Sequence, residues 1–139
     1  MTGQLTQFGA NRAVRAGVGQ AVGAASAMYL ALATAEPASP DTATLLTFNG
    51  NEISTPGYSR QVVTWTSPSG DPSQIASAAI VEFGPFEADP PSVSHLFLCD
   101  TSIGTSGNVL AYWTLDSPCD AADGDSIRIA PGDLTISVD

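Results

Sequence analysis

Lysine is absent from this 139-residue chain, and four arginines, Arg12, Arg15, Arg60 and Arg128, face fourteen acids, for a formal net charge of −10. A body this acidic repels phosphates, which argues against sequence-independent nucleic-acid binding. Histidine is reduced to His95 and cysteine to Cys99 and Cys119. Their positions do not match zinc-type spacing. A Cys99–Cys119 disulfide would require neighbouring strands, and assembly in a reducing cytosol favours two half-buried thiols instead. Long apolar runs are missing as well. The stretch from Ala16 to Leu32 is broken by Gly17, Gly19 and Gly23 and lacks the Leu/Ile density of a membrane-spanning helix. No basic segment stands directly ahead of a Leu-rich one, so synthesis without a cleaved leader is expected.

What is present points to one β-rich domain. The length suits a single core, and the 43% of apolar residues is an ordinary globular level. Charge is unevenly spread. Residues 1–35 carry +2 and no acid, whereas residues 36–139 carry −12. The two ends of the chain are therefore expected to face different surroundings.

Residues 5–22 space Leu5, Phe8, Val14, Val18 and Val22 mostly by three or four, as one stripe of a helix would. Thr6 or Asn11 can cap its start, and Gly17 and Gly19 weaken it by about 1 kcal/mol each relative to Ala. Residues 1–26 are accordingly expected to be an N-terminal arm or helix, and residues 27–139 a β-sandwich domain. From residue 27 the period changes. Ala27–Thr34 (AMYLALAT) reads as a buried strand, and Glu36–Asp41 breaks it with two prolines. Thr42–Pro56 reads as a polar connection, either a surface loop or a hairpin turning at Asn49-Gly50.

Further strands are expected at Tyr58–Thr66, Ser77–Phe83, Ser92–Cys99, Asn108–Leu115, Ser126–Ala130 and Asp133–Val138. Turn-rich breaks separate them at Ser67–Pro72 and Gly84–Pro91, and Pro131-Gly132 makes the last turn. Short strands with frequent turns describe an all-β fold: a single β-sandwich or jelly-roll-like barrel with a short N-terminal helix or arm.

Reaction chemistry is sparse. His95 sits mid-strand with no adjacent nucleophile pattern, although a triad can be assembled from distant residues. Asp116, Asp120, Asp123 and Asp125 crowd one segment, but their spacing is not that of a calcium loop, and Asp and Gly are favoured in turns for backbone reasons. Gly104–Gly107 lacks the lysine and helix of a phosphate loop. Trp65, Trp113, Tyr58 and Tyr112 suit a sugar platform, a core or an interface, and core or interface is the simpler reading. No enzyme activity, cofactor or metal is expected.

The series N-R-A-V-R, Y-L-A-L-A-T, P-G-Y-S-R-Q-V-V-T-W, A-A-I-V-E-F-G-P-F, G-N-V-L-A-Y-W-T-L and G-D-S-I-R-I-A-P-G-D-L-T-I-S-V-D resembles a family of short virion proteins of tailed phages with high-GC, actinobacterial-type hosts. The resemblance spans nearly the whole chain and is most specific at Gly57–Gln61 and Gly124–Ile136. It implies a virion role, as a head-decoration, minor structural or tail-fibre-like protein.

The expectation is a capsid decoration protein assembled in the host cytoplasm. It binds the major capsid protein or other virion proteins, self-associates, with a trimer as one form, and binds neither nucleic acid nor membrane. The alternative is a minor tail, tail-fibre or baseplate protein involved in host attachment. The expected partner contacts are Phe8, Arg12 and Arg15 of the arm, with Tyr58 and Arg60. In an acidic body, Arg60 has either an internal carboxylate or one on a neighbour as its partner.

Overall fold

The computed structural model describes residues 1–20, 27–70 and 73–138. The end of the expected helix at 21–22, the rest of the expected arm to 26 and residues 71–72 of the expected break lie outside the described residues.

The most apolar strands form the centre of the sheet. Strands β2 (Met28–Ala33), β6 (Val93–Cys99) and β7 (Val109–Cys119) run antiparallel, with Leu32 opposite Leu96 and Leu96 opposite Trp113. Successive side chains point to opposite faces. Leu30, Leu32, Leu96, Leu98, Ala111 and Trp113 therefore join one cluster, and Ala31, Ala33, Phe97, Cys99 and Tyr112 another. Both faces are covered, which is why these strands read as nearly continuous apolar runs.

Strand β3 (Gln61–Val63) pairs with β2. Beyond β7 lie β1 (Thr2–Leu5), β9 (Thr135–Val138) and β4 (Ser73–Ala76), giving the order β3-β2-β6-β7-β1-β9-β4. Neighbours are antiparallel except β1 and β9, which are parallel. The edges curl toward each other. Trp65, just after β3, bridges Ser77, just after β4, and the Thr66 amide donates to the Ala76 carbonyl at 2.8 Å. Trp65 stacks on Trp113 with centroids 6.4 Å apart, and a ribbon of β5 (Val81–Phe83) and β8 (Ile127–Ile129) adds Phe83 and Ile129 to the same interior. The result is an all-β, partly open barrel with a short N-terminal helix, α1 (Gln7–Gly17).

Residues 2–5 differ from the expected arm: they form an interior strand between β7 and β9. The reason is steric and polar. Gly3 lies flat on the indole of Trp113, where a Cβ would sit 2.5 Å from the ring. Buried Thr6 then caps α1 by accepting from the Gly9 amide at 3.2 Å, while its hydroxyl donates to the Val109 carbonyl at 2.5 Å. Of the two expected caps Thr6 is the one found, Leu5 leaves the helical stripe for β1, and α1 stops at Gly17.

Residues 45–49 differ too. They form α2 (Leu45–Asn49), capped by Thr44. Gly50 has φ of −59°, so Asn49-Gly50 ends a helix instead of turning a hairpin. Cys99 pairs with Val109 and Cys119 with Val93, placing the thiols at opposite ends of one hairpin. Six strand residues span ~20 Å, well beyond the ~7 Å Cα limit for a disulfide, and both cysteines are free.

Candidate functional site

The expected contact residues separate into two groups. Tyr58 and Arg60 turn inward. Arg60 is 8% exposed, and its Nε and Nη2 grip Glu52 at 2.9 and 2.7 Å, a two-point guanidinium–carboxylate pair. Its remaining donors reach the carbonyls of Thr101 at 3.1 Å and Gly104 at 2.9 Å, at the tip of the β6–β7 hairpin. Of the two partners open to Arg60, the internal carboxylate is the one found.

Glu52 collects further donors. The Tyr58 hydroxyl donates to Oε1 and the Asn49 amide to Oε2, each at 2.7 Å, and the Leu32 amide donates to the Tyr58 oxygen at 3.1 Å. Burial alone would raise the Glu52 pKa. The hydrogen bonds from Arg60, Tyr58 and Asn49, with the Arg60 charge, outweigh it and hold the carboxyl below its ordinary value. Burial and the Glu52 charge push the Tyr58 hydroxyl far up. One buried cluster therefore ties α2, β2, β3 and a hairpin tip together. Breaking such a pair leaves an uncompensated charge, so the cluster is an architectural clamp. Sequence reasoning missed Glu52 and Asn49, because nothing in a polar stretch distinguishes an acid that folds inward.

Phe8, Arg12 and Arg15 stay together on α1. Gly9, Ala13 and Ala16 face a cleft of ≈350 Å³ lined also by Leu5, Met28 and Trp65, and among the described residues Arg12 is the one charged side chain on its wall. A Cβ at Gly9 would strike the Leu110 carbonyl, so the helix lies against β7 with no intervening side chain. Phe8 is 38% exposed at a second groove, which it shares with Thr44, Leu45 and Asn108. The Tyr112 hydroxyl lies 2.7 Å from both Gln4 Oε1 and Asp41 Oδ1, fixing β1 to the loop before α2. Burial, followed by the hydrogen bond to Asp41, pushes this phenol well above its ordinary pKa.

The other candidates serve the fold. An irregularity beside Val93 lets Ser94 Oγ reach His95 Nδ1 at 2.7 Å. The same hydroxyl donates its only proton to the Thr34 carbonyl at 2.7 Å, so the ring nitrogen is the donor in this pair. That is the reverse of what nucleophile activation needs. The acidic segment is a turn: Asp125 accepts from the Ala122 amide at 3.0 Å and Asp89 from the Asp123 amide at 2.8 Å. Among the described residues no group of three His, Cys, Asp or Glu is arranged to hold a metal, and no buried side-chain polar atom lacks a partner. Trp113 is core, with its indole donating to the Thr135 carbonyl at 3.2 Å.

Fold and surface together define a β-barrel module whose interior polar groups are consumed by its own architecture and whose exposed apolar side chains, Val14, Leu46, Val62, Ile80 and Ile103 among them, are spread over helices, a strand and loops. Residues 5–137 match the family model described as Gp80, podophage GP4 fiber I protein gp80, and the chain belongs to this family. It is a virion-associated phage structural protein of the fibre type. No curated protein matches it.

Proposed function

We propose that the chain is a tail-fibre or tail-associated structural module that joins virion proteins through surface contact and turns over no substrate. The observation that carries this reading is the match to a fibre family over residues 5–137. The inward use of Arg60, Tyr58, Glu52 and His95 supports it, since these polar side chains are occupied in holding strands and loops together. Capsid decoration has less support: the family is a fibre family, and residues 2–5 of the segment expected to anchor the protein to the head are a strand of the barrel. Partners are other virion proteins. The acidic surface disfavours nucleic acid, and among the described residues no helix is long and apolar enough to cross a membrane. The absence of lysine beside abundant Ala, Gly, Thr and Asp supports a high-GC, actinobacterial-type host.

Immunogold labelling of intact particles, with copy number by quantitative mass spectrometry, tests the assignment. Label on the tail with a low copy number is expected. Label over the head with a copy number matching the capsid lattice would restore decoration.

A further inference from the structure

The groove beside Phe8 gathers polar side chains that the fold does not use. Its volume is ≈330 Å³, within the ~300–1,000 Å³ of small-molecule sites. Buried Leu45 and Val109 lie beneath it, and the exposed side chains around it are polar except for Phe8. Helix α1 contributes Gln7 and Asn11, one turn apart on the same face, with Phe8 beside them. The loop before α2 contributes Asp41 and Thr42, and Asn108 comes from the chain just ahead of β7.

These parts are fixed to one another before any ligand arrives. The Gln7 backbone amide donates to the Asp41 carbonyl at 2.7 Å, and the Tyr112 hydroxyl steadies Asp41 through Oδ1. Asp100 accepts from the backbone and side-chain amides of Asn108 at 2.7 and 3.1 Å. Asp41 Oδ2 and the side-chain carbonyl of Asn108 are left over. So are the side chains of Gln7, Asn11 and Thr42, which among the described residues make no hydrogen bond within the chain. Around Glu52 the equivalent groups are all consumed internally.

Side-chain amides and a hydroxyl both donate and accept, as the hydroxyls of a polyol do, and the carboxylate oxygen accepts. The negative face of an aromatic ring suits the weakly positive C–H groups of a sugar. Among the described residues lining the groove there is one acid and no cation, so an anionic ligand is disfavoured. A peptide strand is met by aligned backbone groups along a sheet edge, whereas this groove offers side chains. We propose that it is a binding site for a neutral saccharide, with Gln7, Asn11 and Asp41 hydrogen-bonding the sugar hydroxyls and Phe8 packed on the ring. The site binds without reaction and does not depend on the fibre assignment.

An array of neutral oligosaccharides built from hexoses and N-acetylhexosamines, printed beside sialylated, uronic-acid and phosphorylated ones, probes the wild-type chain. The strongest neutral ligand is then titrated by calorimetry. Neutral sugars should bind and anionic ones should not. Phe8→Ala and Asn11→Ala should each weaken binding by about three- to tenfold. Their melting should be unchanged, and Val62→Ser, on a distant strand, should bind as the wild type does. No neutral sugar bound, a preference for anionic ones, or binding that survives both substitutions overturns the proposal. If sugars fail and Phe8→Ala instead abolishes cross-linking to another virion protein, the groove is a protein contact and the saccharide reading falls.

Discussion

The two helices use the barrel in opposite ways. α2 has five residues and buries two of its three large side chains: Leu45 and Phe48 turn inward, Phe48 lying 5.4 Å from the Phe97 ring and 6.0 Å from Tyr112, while Leu46 stays outside. α1 has eleven residues and sends its smallest inward, leaving Val14 and the C-cap Val18 in solvent. A short helix that buries its bulk closes a core. A longer one that rests on glycine and alanine leaves its bulk at the surface.

The largest expected effect breaks the attachment of α1 to the sheet. Deleting residues 1–24 removes β1 from between β7 and β9, exposing the backbone groups of two strands. Loss of the cooperative thermal transition is expected, and a truncated chain that melts normally would return these residues to the status of an arm. On the side of α2, Phe48→Ala should destabilise by about 3–5 kcal/mol, as for large aromatic truncations in cores, measured by denaturant unfolding. Gly9→Ala should lower stability by about 1–3 kcal/mol through overpacking against Leu110, because α1 has no spare distance from β7. Val14→Ser should change stability by less than about 0.5 kcal/mol. A large loss there would make the outer ridge part of the core and erase the contrast between the helices.

A pH series sharpens the anchoring of α2, whose Asn49 holds Glu52. The Glu52 pKa is lower folded than its ordinary 4.5. Its stabilisation is therefore fully present above that value and is lost as pH falls through the folded pKa. Glu52→Gln should flatten the acid limb of a stability–pH curve. Tyr58 and Tyr112 are raised above 10.0, so stability should fall as pH rises past 10.0, where the unfolded phenols ionise first. Tyr58→Phe should weaken that alkaline limb.

Legibility in the sequence followed side-chain pattern. β2, β6, β7 and β9 were readable because Leu, Val, Ile and aromatic residues recur along them. β1 was not, since TGQL has a single large apolar residue and derives its place from Gly3 fitting against the ring of Trp113, far along the chain. α2 was hidden because five residues show little more than one helical turn and the Asn49-Gly50 pair resembles a hairpin signal. Of the expected contacts, Phe8, Arg12 and Arg15 were found together on a helix, while the clamp around Arg60 depended on Glu52, eight positions earlier in a polar loop.

The parallel pairing of Thr2 with Thr135 and Gly3 with Ile136 has a consequence for how the protein is made. Among the described strands, the earliest in chain order is bordered on one side by the latest. Until Thr135–Val138 emerge, β1 can have only β7 beside it, and the sheet cannot curl to its final closure. Native contacts of such long sequence separation slow folding. Nascent chains would therefore wait with unpaired edges, and expression at lower temperature or with slower synthesis should raise the soluble yield.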